Sequence, residues 1–200
     1  MSAADLHDVF AVMALIALGG AIVMGLARVV PAVAAVRFLD GLHRVQLPLA
    51  ALVATTASLG SLWFSEVADW EPCRFCWFQR IFMYSSAVVL IVASIRRDRS
   101  ARWYAVPLAG IGALVSGWHL LLENRIVEES TSCTSLVSCA NPYYVSFGTL
   151  DFSSGTLERT GFPVTLAVMA LSGFLAVIAL LLAPEALDPT EDHDGQPTAS

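Results

Sequence analysis

Charge is what this chain is short of, and lysine is missing altogether. Charged residues make up 14% of its 200 positions, against 56% apolar, and mean hydropathy is +0.68. That leaves too little polar surface to cover a water-soluble globule of this length, which excludes a soluble single domain. All eleven basic residues are arginine, a bias of composition more than of function. With a net charge of -6 and no basic cluster on a soluble face, nucleic acid is excluded as a partner.

What is present is a series of apolar runs of spanning length. Residues 9–27 carry no charge, and Asp5 and Asp8 precede them where a signal peptide would have basic residues. Arg28, Arg37 and Arg44 follow instead, which argues for a retained span with its N-terminus outside. Further uncharged runs cover residues 45–65, 81–95, 103–122 and 161–183. Pro48 sits near the start of the second run, where a helix tolerates it. Residues 96–102 form a basic loop, residues 123–160 a long polar loop, and residues 184–200 an acidic tail expected to be disordered. Placing 28–44 and 96–102 inside puts seven of the eleven arginines in the cytoplasm. An odd number of spans satisfies both basic segments. All four cysteines then face the compartment where disulfides persist.

The third run is too short. Fifteen residues at ~1.5 Å each cover about 22 Å of a hydrocarbon core of ~30 Å. Four arginines close its far end, so the deficit must be met from residues 76–80. That draws Cys73-x-x-Cys76 and Arg80 to the membrane edge. Pro72 before Cys73 suits a helix start, where unpaired N–H groups favour a thiolate. Cys76 and Arg80, four apart, share a helix face. The arginine can simply snorkel to the headgroups; alternatively it stabilises a Cys76 thiolate and hydrogen-bonds a carbonyl oxygen of an electron acceptor. In the second case this is a redox site at the lipid edge.

Cys133 and Cys139 lie in the long polar loop. They serve either as a structural staple or as a shuttle disulfide open to thiolate attack. Zinc ligation is disfavoured, because C-x5-C departs from the usual spacing and the site is extracytoplasmic; no metal is expected. His119 lies about one turn from the outer end of the fourth run, with Glu123 four residues on. A titratable group inside an apolar span is a functional candidate, here for the protons of a two-electron reduction. Trp63, Phe64, Trp70, Trp77, Phe78 and Trp118 gather at the outer ends. They read as an interfacial belt or as the lining of a groove for a flat ring.

The segment Pro72-Cys73-x-x-Cys76-Trp77-Phe78-Gln79-Arg80-Ile81-Phe82-Met83-Tyr84 closely resembles the disulfide bond formation protein B family, especially its BdbC-like branch. Residues 59–66 resemble that branch's first span. His119 and Glu123 resemble the histidine and following glutamine of its third span, and Cys133 and Cys139 match its second pair in a short-loop form. The resemblance covers residues 46–183 and is most specific at 72–84.

It implies an all-α, polytopic four-helix membrane bundle, to which the run 9–27 adds an N-terminal transmembrane helix. Residues 1–44 would form that helix and a cytoplasmic linker, and residues 45–183 the core domain. The implied activity is a protein-dithiol:quinone oxidoreductase that re-oxidises an extracytoplasmic thioredoxin-fold thiol oxidase (DsbA/BdbD-like). Its electrons would pass to menaquinone or ubiquinone. By position, the partner's thiolate would attack Cys133, with Cys139 the other half of that pair. Exchange with Cys73–Cys76 would run through a Cys73–Cys139 bridge, and Arg80, His119 and Glu123 would lie at the quinone.

Three features depart from the family: the extra span, Glu123 where glutamine is common, and a longer loop after Cys139. Two other readings compete. A vitamin K epoxide reductase-like enzyme also has two cysteine pairs, but its C-x-x-C comes late in the chain. A non-catalytic membrane scaffold would use its disulfides only as staples.

Overall fold

The computed structural model describes residues 3–29, 33–127, 144–146, 149–150, 157–158 and 163–183. Five helices carry the fold: α1 Ala3–Val29, α2 Val33–Glu66, α3 Arg74–Arg96, α4 Arg102–Glu123 and α5 Leu166–Leu181. Among the described residues, four stretches are long and apolar enough to cross a membrane, namely Asp8–Val29, Arg37–Glu66, Arg74–Arg96 and Arg99–Glu123. Successive helices pack side by side, α2 on α3, α3 on α4 and α4 on α5, and α5 closes back onto α2. α1 stands outside this ring, against α5 and α2.

Three sequence expectations need correction. α2 begins at Val33, so the supposed linker around Arg37 and Arg44 is largely helical. Pro48 consequently lies inside the helix, where it removes one backbone hydrogen bond instead of occupying the first turn. The fifth apolar run is not helical throughout. Its helix has 16 residues, or about 24 Å, because Pro163–Thr165 forms a short strand, β4, paired antiparallel with β1, Tyr144–Ser146. A second small pair joins β2, Thr149–Leu150, to β3, Leu157–Glu158. The third-run expectation holds: α3 reaches back to Arg74 and takes in residues 76–80. The tail 184–200 lies outside the described residues.

The packing is that of a bundle whose helices are held by small residues. Ala105, Ala109, Gly112, Ser116 and His119 form the buried stripe of α4, and Ala50 and Ala54 do the same on α2. Small side chains let helices approach closely where lipid removes the usual hydrophobic drive. Gly112 shows how close: a Cβ there would collide with the ring of fully buried Phe174 on α5. Buried serines are satisfied within their own helices, Ser86 donating to Phe82 O at 2.7 Å and Ser116 to Gly112 O at 2.9 Å. Large apolar side chains such as Ile95, Leu114 and Trp103 point outward, as a lipid-facing surface requires.

At one end of the ring α3 stops at Arg97, which takes a left-handed conformation (φ 54°). The Asp98 N–H returns to Ala93 O at 2.9 Å, closing the helix as a Schellman-type turn does. Asp98 then accepts from Ser100 N and Ser100 Oγ, which hold its carboxyl below the usual carboxylate range. The opposite end carries Cys73 and Cys76.

Candidate active site

α3 opens on Cys73. Its backbone is extended, and its sulfur accepts from the Cys76 amide at 3.3 Å, so the sulfur takes the place an N-cap hydroxyl usually fills. Cys73 is buried, Cys76 is half-buried in the first turn, and the two sulfurs lie 2.8 Å apart. Both sulfurs and a ring nitrogen of His119 fall within 4.8 Å of one another. Two thiolates on one tetrahedral zinc, each bonded at ~2.3 Å, would stand about 3.8 Å apart. The closer spacing suits a pair that bonds to itself.

The surroundings of the pair differ on its two sides. On the Cys73 side they are polar and buried. His119 is buried, with Nε2 3.6 Å from Cys73 Sγ and 3.7 Å from Glu123 Oε1. Gln79 Nε2 lies 3.2 Å from His119 Nδ1. With the amide as donor, Nδ1 accepts and the ring carries its proton on Nε2, facing the sulfur and the carboxylate. Phe75 stacks on the imidazole, ring centroids 5.7 Å apart. Glu123 accepts from Thr165 Oγ1 at 2.7 Å, and that hydroxyl also caps α5 by accepting from Val168 N. The end of α4 is thereby tied to the start of α5. The Cys73 thiol is pushed up to about 12, first by its hydrogen bond with Cys76 and then by burial, while His119 pulls the other way.

The Cys76 side is an apolar cavity of about 330 Å³. Cys76, Gln79, Arg80, Tyr84, Trp70 and Phe174 are among the residues lining it. Arg80 is not simply snorkelling. Its Nε donates to Ser61 Oγ and its Nη2 to Ser61 O, each at 2.9 Å, and the guanidinium stands 5.4 Å over the Trp77 ring. Two of its five donors thus pin it to α2 beside the cavity. The Tyr84 hydroxyl is buried and has no hydrogen-bond partner among the described residues.

Cys73, Cys76, Arg80, His119 and Glu123 therefore share one end of the bundle. Only Cys76 and Arg80 line the cavity; His119 and Glu123 are grouped with Cys73. Cys133 and Cys139 lie outside the described residues. The aromatic residues divide: Phe64 and Trp70 stack at 5.0 Å and line the cavity, whereas Trp77 and Trp118 are exposed, as a belt would be. Sequence reasoning missed Ser61, Gln79 and Tyr84 as site residues. Ser61 and Gln79 are uncharged polar residues within or at the edge of apolar runs, a signal that was there to be read.

Residues 43–184 match the family described as disulfide bond formation protein DsbB. The chain belongs to the DsbB family. Among its relatives, a probable disulfide formation protein of Deinococcus radiodurans is 39% identical over 141 residues, covering 70% of this chain and 88% of that one. Disulfide bond formation protein C of Bacillus subtilis is 34% identical over 132 residues, covering 65% and 85% respectively. No solved structure matches. As a DsbB-family protein with four candidate spans, this is a multi-pass membrane protein of disulfide bond formation. The family match begins at residue 43, so α1 lies wholly outside it.

Proposed function

We propose that this DsbB-family protein re-oxidises an extracytoplasmic thioredoxin-fold thiol oxidase and delivers the electrons to a membrane quinone. Disulfide formation in exported proteins would thereby be sustained. The observation that carries this reading is the position of Cys73–Cys76, between a buried imidazole and an apolar cavity with a tethered guanidinium. The cavity fits a quinone by its chemistry: apolar walls for a ring and tail, one fixed cation beside a sulfur, and an orphaned phenol. When bound there, a quinone supplies an acceptor for two electrons and two protons.

The chain's own residues supply the rest. Both cysteine pairs face outward in this reading, and both begin as disulfides. The partner's thiolate attacks Cys133, and its second thiolate then releases an oxidised partner, leaving Cys133 and Cys139 reduced. Cys139 attacks Cys73, forming a Cys73–Cys139 bridge and freeing Cys76 as a thiolate at the cavity. Arg80, one helical turn away, stabilises that charge. Cys133 then attacks Cys139, restoring the outer disulfide and expelling Cys73. The His119 Nε2–H is the donor nearest the departing sulfur, and Glu123 balances the imidazole when it charges. Two thiols of the partner have become one disulfide, and the two electrons reside on Cys73–Cys76. Arg80 is the quinone-side contact in this scheme, and His119 and Glu123 act on Cys73.

Cys76→Ser and Cys133→Ser are each expected to abolish quinone-dependent oxidation of a thioredoxin-fold partner, followed as loss of partner thiols. Full activity in either variant would overturn the reading. Thiol trapping separates it from a stapled scaffold, whose cysteines stay oxidised when quinone is depleted, whereas these are expected to accumulate reduced.

A further inference from the structure

Helix α1 falls outside the family match, yet it supplies one side of the cavity at Cys76. Phe10, Met13, Ala14 and Ala17 all line it. Their spacing of three, one and three residues places them on a single helix face. The other linings come from α2, α3, α5 and residues 70–72 between α2 and α3, and α1 supplies the remaining side.

That face is seated by contacts at both ends of the helix. Near the cysteines, Ala11 is fully buried, and the Phe10 ring packs on Trp63 and Phe64 with centroids 6.0 and 5.6 Å away. Gly60 makes the approach possible: a Cβ there would stand 3.0 Å from the Phe10 ring. At the far end Met24 is buried in the main core, and Arg28 Nη2 donates to Ala179 O on α5 at 2.6 Å. The other face of α1 is lipid-like, with Ile16 68% and Leu26 59% exposed. A helix serving only as an anchor would need none of these contacts with the cavity.

We propose that α1 is the lateral wall of the electron-acceptor site. It sets the width available to a quinone ring, through small Ala14 and Ala17 between larger Phe10 and Met13, and it retards escape of the ring into the bilayer. This rests on the reading that a quinone occupies the cavity.

The test uses the full chain in lipid nanodiscs with decylubiquinone as the probe. Binding is read as quenching of tryptophan fluorescence, and retained native quinone is read by extraction and quantification. Ala14→Trp is expected to fill the cavity, weakening decylubiquinone at least about tenfold and emptying the protein of native quinone. Ala17→Leu gives a milder loss should the larger side chain prevent insertion. Phe10→Ala opens the wall and speeds dissociation several-fold by about one lost aromatic contact. Ile16→Trp, on the lipid face, is expected to bind as the unaltered chain does.

Equal affinity for Ala14→Trp, Ala17→Leu and Ile16→Trp, with Cys76→Ser still inactive, would overturn the wall and leave the function standing. Activity retained in Cys76→Ser would instead remove the function on which the wall depends.

Discussion

The two cysteines of one motif, three residues apart, sit in different surroundings. Cys73 has the buried His119 imidazole 3.6 Å away, itself met by Glu123 and by Gln79, which also reaches the cavity. Cys76 has an apolar cavity and a guanidinium tied to the neighbouring helix. In the proposed function, this difference would let one disulfide serve two media. A sulfur exchanging with another thiol needs proton donors fixed at hand, because every exchange moves a thiolate. A sulfur facing a lipid-soluble acceptor needs an apolar space, with one cation to hold charge. The helix start provides the division, since Cys73 caps α3 and Cys76 lies within its first turn.

The sharpest probe of this contrast is the reduced Cys73 thiol. At about 12 instead of 9.0, it holds about a thousandth of the ordinary thiolate near neutral pH. Its greater nucleophilicity recovers a factor of about twenty. Alkylation at pH 7.5 is therefore expected to run about fiftyfold slower than for a model cysteine peptide, and to rise with pH beyond the range where ordinary thiols level off. Cleavage after Arg74 separates the two cysteines for mass spectrometry. A rate equal to that of the peptide would show that Cys73 is not held protonated.

Arg80→Gln should act on the cavity side alone. Losing a charge-assisted donor costs about 1.5–3 kcal/mol, so KM for quinone is expected to rise at least about tenfold. Exchange between the partner and the cysteines, measured without quinone, should keep its rate.

His119→Ala should do the reverse, slowing exchange at Cys73 several-fold up to about tenfold, with KM for quinone unchanged. If KM rises instead, the imidazole belongs to the cavity side and the contrast fails.

The smallest effect is expected for Glu123→Gln. It keeps an oxygen for Thr165 and removes only the charge beside His119. Thermal stability should move by about 1 kcal/mol, and the rate by about twofold at most. A large loss of stability would show that the charge, and not the tie to α5, matters there.

Much of this site was legible in the residues. The shortness of the third apolar run alone required residues 76–80 to join the helix, and α3 does begin at Arg74. The i, i+4 relation of Cys76 and Arg80 placed both on one face, and both line the cavity. The fifth run was less legible, because an uncharged segment reads alike as helix or as strand. Pro163 and Thr165 before the apolar stretch were the available sign, as Thr165 is the N-cap of α5. The partition of His119 from Arg80 could not be read. Two residues at similar depth on different helices touch or do not touch according to how those helices are rotated.

Membrane insertion, helix number within one short element, family and the C-x-x-C pair follow from the chain itself. They depend on hydropathy, spacing and local motifs, which act over a few turns. That the imidazole meets Cys73, and that α1 lines the cavity, were decided only in three dimensions. Close packing through Gly60, Gly112 and the small residues of α2 and α4 sets the rotation of each helix. That rotation brings residues far apart in the chain, Phe10 with Gly60 and Cys73 with His119, to within a few ångströms.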